Sequence, residues 1–190
     1  MAAPLTVFLD ANVLYPAALR DLFMRLALQG LFRAKWSNQV HEEWMEAVQR
    51  DFPNITRTQL ERTRDLMNLN AVDSLVSGFE QQIESIKLPD PDDRHVLAAA
   101  ITGNASRIIT SNLKDFPAAA LQPYGIKAQH PDDFIIQLMD TNMEGVCIAA
   151  RQHRTNLKNP PKTALEYLVT LERQGLTKTV VRLRAFAEII

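Results

Sequence analysis

Four carboxylates, Asp10, Glu43, Asp93 and Asp115, stand where each can leave a secondary-structure element and meet the others. Asp10 closes the apolar run "LTVFLD" (5–10), and Asp115 lies in the polar loop "SNLKDFP" just past a second apolar run, "RIIT" (107–110). Ligands in open parallel sheets bind beyond the carboxyl ends of the strands, so both acids are placed where a site is expected. Carboxylates brought that close repel one another unless something neutralises them. Hard oxygen donors without Cys or His select Mg²⁺ or Mn²⁺. Such ions serve phosphoryl chemistry, in which they bind the scissile phosphate, activate the attacking water and stabilise the leaving oxygen. Asn12, two residues past Asp10, is placed to orient a carboxylate or a water on the ion.

The other two acids must be aimed by helices. Ser37 is a plausible N-cap for a helix over 38–50, with Val40, Trp44, Ala47 and Val48 on one face. At about 100° per residue, Glu43 falls roughly 60° from Val40, at the margin of that face, whereas Glu42 and Glu46 point to solvent. In "LPDPDDRHVLAAA" (88–100), Asp90 reads as an N-cap and Pro91 as the first helical residue. Asp92 and Asp93 then sit in the first turn, where the helix dipole favours negative charge. That explains the acids but not their direction. Relative to Val96, Asp93 lies at about 60°, in the centre of the apolar face, with Asp92 flanking it at about 40° on the other side. A carboxylate there needs a partner, either a metal ion or a capped backbone amide. His95 falls on the polar side of the same helix and reads as a solvated histidine.

These pieces imply a frame. "LTVFLD" and "RIIT" read as buried strands of a parallel sheet. Pro16 opens a helix that Gly30 stops, and a polar helix covers 56–70. "FEQQIESI" suggests a short helical stretch, and "HPDDFIIQLMD" (130–140) a further helix. Strand, helices, strand, helix argues for an α/β sandwich with a central, mostly parallel sheet. The last 50 residues read as helical, with Met143, Val146, Cys147 and Ala150 on one stripe, a break over 155–163 and a stop at Gly175. The expected division is a nuclease-like domain over 1–140 and a helical C-terminal extension over 141–190.

At these residues the chain resembles the PIN-domain ribonucleases. "VFLDANVLYPAALRD", "WSNQVHEEW", "LPDPDDRHVLAAAI" and "IITSNLKDFP" follow one another as the family's acid motifs do, over about residues 5–140. The resemblance implies a PIN-like three-layer α/β/α sandwich and a Mg²⁺- or Mn²⁺-dependent endoribonuclease that leaves 5′-phosphate and 3′-hydroxyl ends. It makes Asp10, Glu43, Asp93 and Asp115 the catalytic and metal-binding acids; Asn12, Asp90, Asp92, Thr110, Ser111 and Asn112, read from their positions beside these acids, are expected as supporting groups. Many bacterial members, the VapC type, are toxins held inactive by a co-expressed antitoxin, and the family is often homodimeric. The expected partners are therefore an RNA substrate and a cognate antitoxin. The chain departs from the compact toxins by a longer insertion over 44–92 and by its C-terminal helices.

Charge is divided unevenly. Residues 1–140 carry 13 Lys+Arg against 18 Asp+Glu, and residues 141–190 carry 8 against 4, an acidic body with a basic tail. The RNA-facing candidates are Arg94 and Lys114 beside the acids, and Arg151, Arg154 and Lys158 in the tail; a solvated helical face or an antitoxin contact is the competing use. One cysteine, Cys147, permits neither an internal disulfide nor a cysteine-based zinc site. No signal peptide or membrane span is apparent, so a cytoplasmic protein is expected. Three other functions remain in play. A haloacid-dehalogenase-like phosphatase wants an aspartate where Asn12 stands. A flap-type DNA nuclease shares the acid chemistry. A catalytically silent PIN-fold binding module would be expected to have lost acids that are all present here.

Overall fold

The computed structural model describes residues 4–190; residues 1–3, the start of the expected nuclease domain, lie outside the described residues. Strand β1 (Thr6–Leu9) forms the middle of the sheet, and its Val7, Phe8 and Leu9 are wholly buried, as a strand covered on both faces requires. It pairs in parallel with β2 (Arg33–Ser37) on one side and β4 (Arg107–Ile109) on the other. β3 (Leu75–Val76) adds to β2, and β5 (Lys127–Gln129) adds to β4. The order is β3-β2-β1-β4-β5, all parallel. The connections run outward from β1 to β2 and β3 and then return across to β4. The order therefore reverses between β1 and β4, which opens a crevice at their carboxyl ends.

β2, β3 and β5 escape a reading by apolar runs. β2, "RAKWS", is half polar, and the two outer strands are two and three residues long. They are strands because a neighbour's backbone is there to pair with, and short edges of this kind resist further pairing.

Helices cover both faces and complete the three layers of the sandwich. Helix α1 (Ala11–Leu14) is one turn capped by Asp10, and α2 (Ala17–Leu28) follows Pro16 and ends before Gly30, which turns with φ +72°. Helix α3 (Asn38–Asp51) is capped by Ser37, whose hydroxyl accepts from Val40 N–H. A Thr56–Gln59 capping box starts α4 (Arg57–Asn70). Residues Glu80–Ser85 and Pro91–Asp93 form 3₁₀ turns, the second leading into α5 (Arg94–Thr102), which packs on β1, β2 and β4. The short α6 (Ala118–Leu121) joins β4 to β5.

Helix α7 (Pro131–Asn156) runs through the expected boundary at residue 140. Its backbone breaks at Asn142 (φ −155°, ψ 77°), and the Asn142 side chain accepts from Gly145 N–H at 2.8 Å, starting a fresh helical segment. Helices α8 (Ala164–Glu172) and α9 (Thr177–Leu183) follow, and α7 and α8 both pack on α2. Their Tyr167, Leu171, Val180 and Leu183 belong to the same hydrophobic core as the sheet.

Asp132 fastens the extension. It is 4% exposed, and its two carboxylate oxygens accept from Lys178 N–H and Thr179 N–H at 2.8 Å each. Leu176, at the N-cap of α9, offers no side-chain cap of its own, so a carboxylate from α7 caps α9 at long range. Asp132→Ala leaves two backbone donors unmet at a buried helix start. It is expected to cost about 2–3 kcal/mol. A melting temperature lower by roughly 4–12 °C would register it, and an unchanged one would remove the cap from the account.

Candidate active site

Asp10 leaves β1 with its backbone N–H still bonded to Ile109 O in β4 and its side chain turned back to cap α1. Its Oδ1 accepts from Ala11 N–H at 2.6 Å. Its Oδ2 accepts from the Asn12 amide at 2.5 Å and the Thr110 hydroxyl at 2.7 Å. The Thr110 hydroxyl oxygen also accepts from Asn12 Nδ2 at 2.9 Å and Asn112 N–H at 3.0 Å, and Asn12 Oδ1 accepts from Ser111 N–H at 2.9 Å. Asp10, Asn12 and Thr110 thus tie the ends of β1 and β4 together at the point where the sheet order reverses. Asn112, in turn, donates to Asp115, which lies in the 3₁₀ turn Leu113–Asp115.

Asp93 ends the 3₁₀ turn before α5 and is half-buried. Asp90 caps that turn by accepting from Asp92 N–H at 2.9 Å. One ligand oxygen each from Asp90, Asp93 and Asp115 lie within 4.8 Å of one another, a spacing that fits a divalent cation with oxygen donors. Burial pushes the Asp93 carboxyl up to about 6, and the charges of Asp10, Asp115 and Asp90 add to the effect. Burial raises the Asp10 carboxyl as well, with Glu43 adding, against the opposing hydrogen bonds from Thr110 and Ala11. Two acids held above their ordinary range by lost hydration and mutual repulsion mark a site that gains from a cation.

Glu43 comes from α3, on the side the helical angle assigned to it, while Glu42 pairs with Arg57 and Glu46 is exposed. The expectation of a solvated His95 is wrong. His95 is 3% exposed, and its Nε2 lies 2.6 Å from Glu43 Oε1. The helical-wheel argument failed because α5 has no solvent side: every residue from His95 to Ala100 is buried. The signal was in the sequence, since a helix apolar nearly all round is a buried one. Asp92 is exposed and contributes only its N–H to the Asp90 cap.

Among the basic residues, Arg94 and Lys114 adjoin Asp93 and Asp115 in the chain. Arg154 does not face outward as expected, because its guanidinium donates to Ile190 O at 3.0 Å and Lys162 O at 2.9 Å. Lys178 and Arg182 pair with Asp133 and Asp140. Arg151 and Lys158 are exposed. None of the described helices is long and apolar enough to cross a membrane.

Comparison with known proteins agrees with this geometry. A family model described as "PIN domain" matches residues 6–114, more than half of the 190-residue chain. That span contains Asp10, Glu43 and Asp93 and stops one residue before Asp115. A second model, "VapC50 C-terminal domain", matches residues 131–185. Over 48 residues the chain is 60% identical to the Mycobacterium tuberculosis protein named "Putative ribonuclease VapC50". The match takes in 25% of this chain and only 28% of that relative's length. No solved structure gives a significant match. The family match, the parallel sheet and the acids beside its reversal point lead to one conclusion: the chain belongs to the PIN domain family.

Proposed function

We propose that this chain is a divalent-metal-dependent endoribonuclease, the toxin of a toxin–antitoxin pair. The observation that carries the reading is the grouping of Asp90, Asp93 and Asp115 within 4.8 Å of one another, with Asp93 raised to about 6 by burial and by the charges of Asp10, Asp115 and Asp90. The name of the Mycobacterium tuberculosis relative and the second family match support the toxin assignment. In this reading Asp10, Asp93 and Asp115, with Glu43, hold Mg²⁺ or Mn²⁺, and Asp90 is an adjoining donor. A bound ion of this kind supplies charge neutralisation and Lewis acidity toward a phosphodiester and its attacking water. The residues themselves supply position. Asn12 and Thr110 fix the Asp10 carboxylate, Asn112 fixes Asp115, and α5 presents Asp93. Arg94 and Lys114, next in the chain to Asp93 and Asp115, are taken as grips for substrate phosphates, with the exposed Arg151 and Lys158 as further cations. The nuclease unit is taken as 1–140 and the extension as 141–190, rooted in α7 where the second family match begins.

Purified protein with Mn²⁺, offered matched RNA and single-stranded or flap DNA, is expected to cut the RNA and leave 5′-phosphate ends. Chelation should stop the reaction. Preference for flap DNA would replace this reading with the DNA nuclease, and binding without cleavage would make the chain a silent module. Expression without its antitoxin should arrest growth.

A further inference from the structure

His95 has no place among the acids, yet it is built into them. It lies on α5 two residues beyond Asp93, is 97% buried, and makes one close polar contact, its Nε2 lying 2.6 Å from Glu43 Oε1. Against an ionised carboxylate, a contact that short places a proton on Nε2. Nδ1 is buried and has no hydrogen-bond partner among the described residues. A histidine kept only for packing gains nothing from leaving one nitrogen unsatisfied, because an apolar side chain of similar volume would avoid that cost. Whatever retains an imidazole here acts through Nε2.

Glu43 needs such a partner. It is the one site acid carried by α3, and its side chain is 38% exposed, so packing alone leaves it several rotamers. Asp10 and Asp115 are each held by side-chain donors, from Asn12 and Thr110 and from Asn112 respectively. His95 is the side-chain donor to Glu43. Asp93 is the residue at the N-cap of α5, two residues before His95, so their relative position is set by the backbone at the start of that helix. The contact therefore references Glu43 to Asp93 rather than to α3 alone.

We propose that His95 is the positioning residue for Glu43, holding its carboxylate toward the start of α5, where Asp93 stands, for a divalent cation. The proposal rests on the nuclease reading for the identity of that cation. A group that orients a ligand in this way is worth about 10–100-fold in metal affinity.

Two substitutions separate positioning from packing. In His95→Gln the side-chain amide nitrogen reaches as far as Nε2 and keeps the donor. In His95→Asn the side chain is polar but too short. Calorimetric titration with Mn²⁺ is expected to show affinity within about threefold of wild type for His95→Gln and about 10–100-fold weaker for His95→Asn. Equal losses in both variants, or no loss in either, would overturn the proposal. A second measurement uses the native side chain, so it does not depend on either variant folding. In ¹⁵N imidazole spectra, the His95 Nε2–H resonance should move on addition of Mg²⁺ in wild type and stay still in Glu43→Ala. A resonance that ignores Mg²⁺ in wild type overturns the proposal while leaving the nuclease reading intact. Wild-type protein that takes up no Mn²⁺ overturns both.

Discussion

Asp10→Asn is expected to abolish RNA cleavage while leaving the fold in place. Losing an orienting group around a metal ligand costs about 10–100-fold, so losing the charge of a direct ligand should exceed about 100-fold. The substitution also reverses a local hydrogen bond. Asp10 Oδ2 accepts from both Asn12 Nδ2 and the Thr110 hydroxyl. An asparagine keeping its oxygen on Ala11 N–H would turn an NH₂ toward the Asn12 amide, donor against donor. The fold should tolerate this because the ionised carboxylate is no asset to the metal-free protein: burial raises its pKa, which means the charge is held at a cost. Relief of that cost offsets the lost bonds. The metal-free melting temperature should stay within a few degrees, roughly a 1 kcal/mol change. A rise in melting temperature on addition of Mn²⁺ is expected for wild type and should be absent in the variant. A variant that cuts RNA at the wild-type rate would remove Asp10 from the site.

Metal uptake should weaken in acid, and Asp93 sets where. Its carboxyl moves from an ordinary value of 3.8 to about 6 in the folded chain. Folding therefore takes up a proton between those values. The contribution of this group to metal-free stability is fully present below about 3.8 and is lost as pH rises through about 6. The raised Asp10 acts with the same sign. A cation must displace the Asp93 proton once the pH is below about 6, so apparent Mn²⁺ affinity should fall roughly tenfold between about pH 7 and pH 5. Titration calorimetry across that interval measures it directly. In parallel, the metal-free melting temperature should rise from about pH 7 toward pH 5, and Asp93→Asn should flatten that slope. An affinity that does not change between these values would mean that Asp93 is not protonated in competition with the ion.

Part of the frame around the site was legible because its signals are local. Ser37 and Asp90 announce helix starts by their own side chains, and the structure has both as caps. Angular position on α3 separated Glu43 from Glu42 and Glu46, since the apolar stripe of a half-buried helix fixes which way it faces. The same reasoning failed for His95, because α5 is enclosed on every side and a wheel drawn on it has no outside. It failed again for Arg154, whose partners are carbonyls at Lys162 and Ile190, brought near only by the packing of α7 against the chain's last residues. The long-range cap from Asp132 to α9 was invisible for the same reason: its donor and acceptor belong to different helices.

The sequence by itself determined the inventory: four acids proposed for a phosphoryl-type site, the helix start at Asp90 and Pro91, two buried strands that end at Asp10 and Thr110, and a helical, basic C-terminal stretch. These follow from backbone dihedral preferences and from spacings within a few turns, which any short window contains. Only the tertiary structure decided how the inventory combines. It placed β1 beside β4, so that Thr110 reaches Asp10, and it made strands of β2, β3 and β5 from residues with little tendency to be strands. It brought Asp115 within 4.8 Å of Asp90 and Asp93 and set His95 against Glu43. Those pairings join segments far apart in the chain. They hold because one shared core buries the elements that carry them, and no local window records which partner that core will supply.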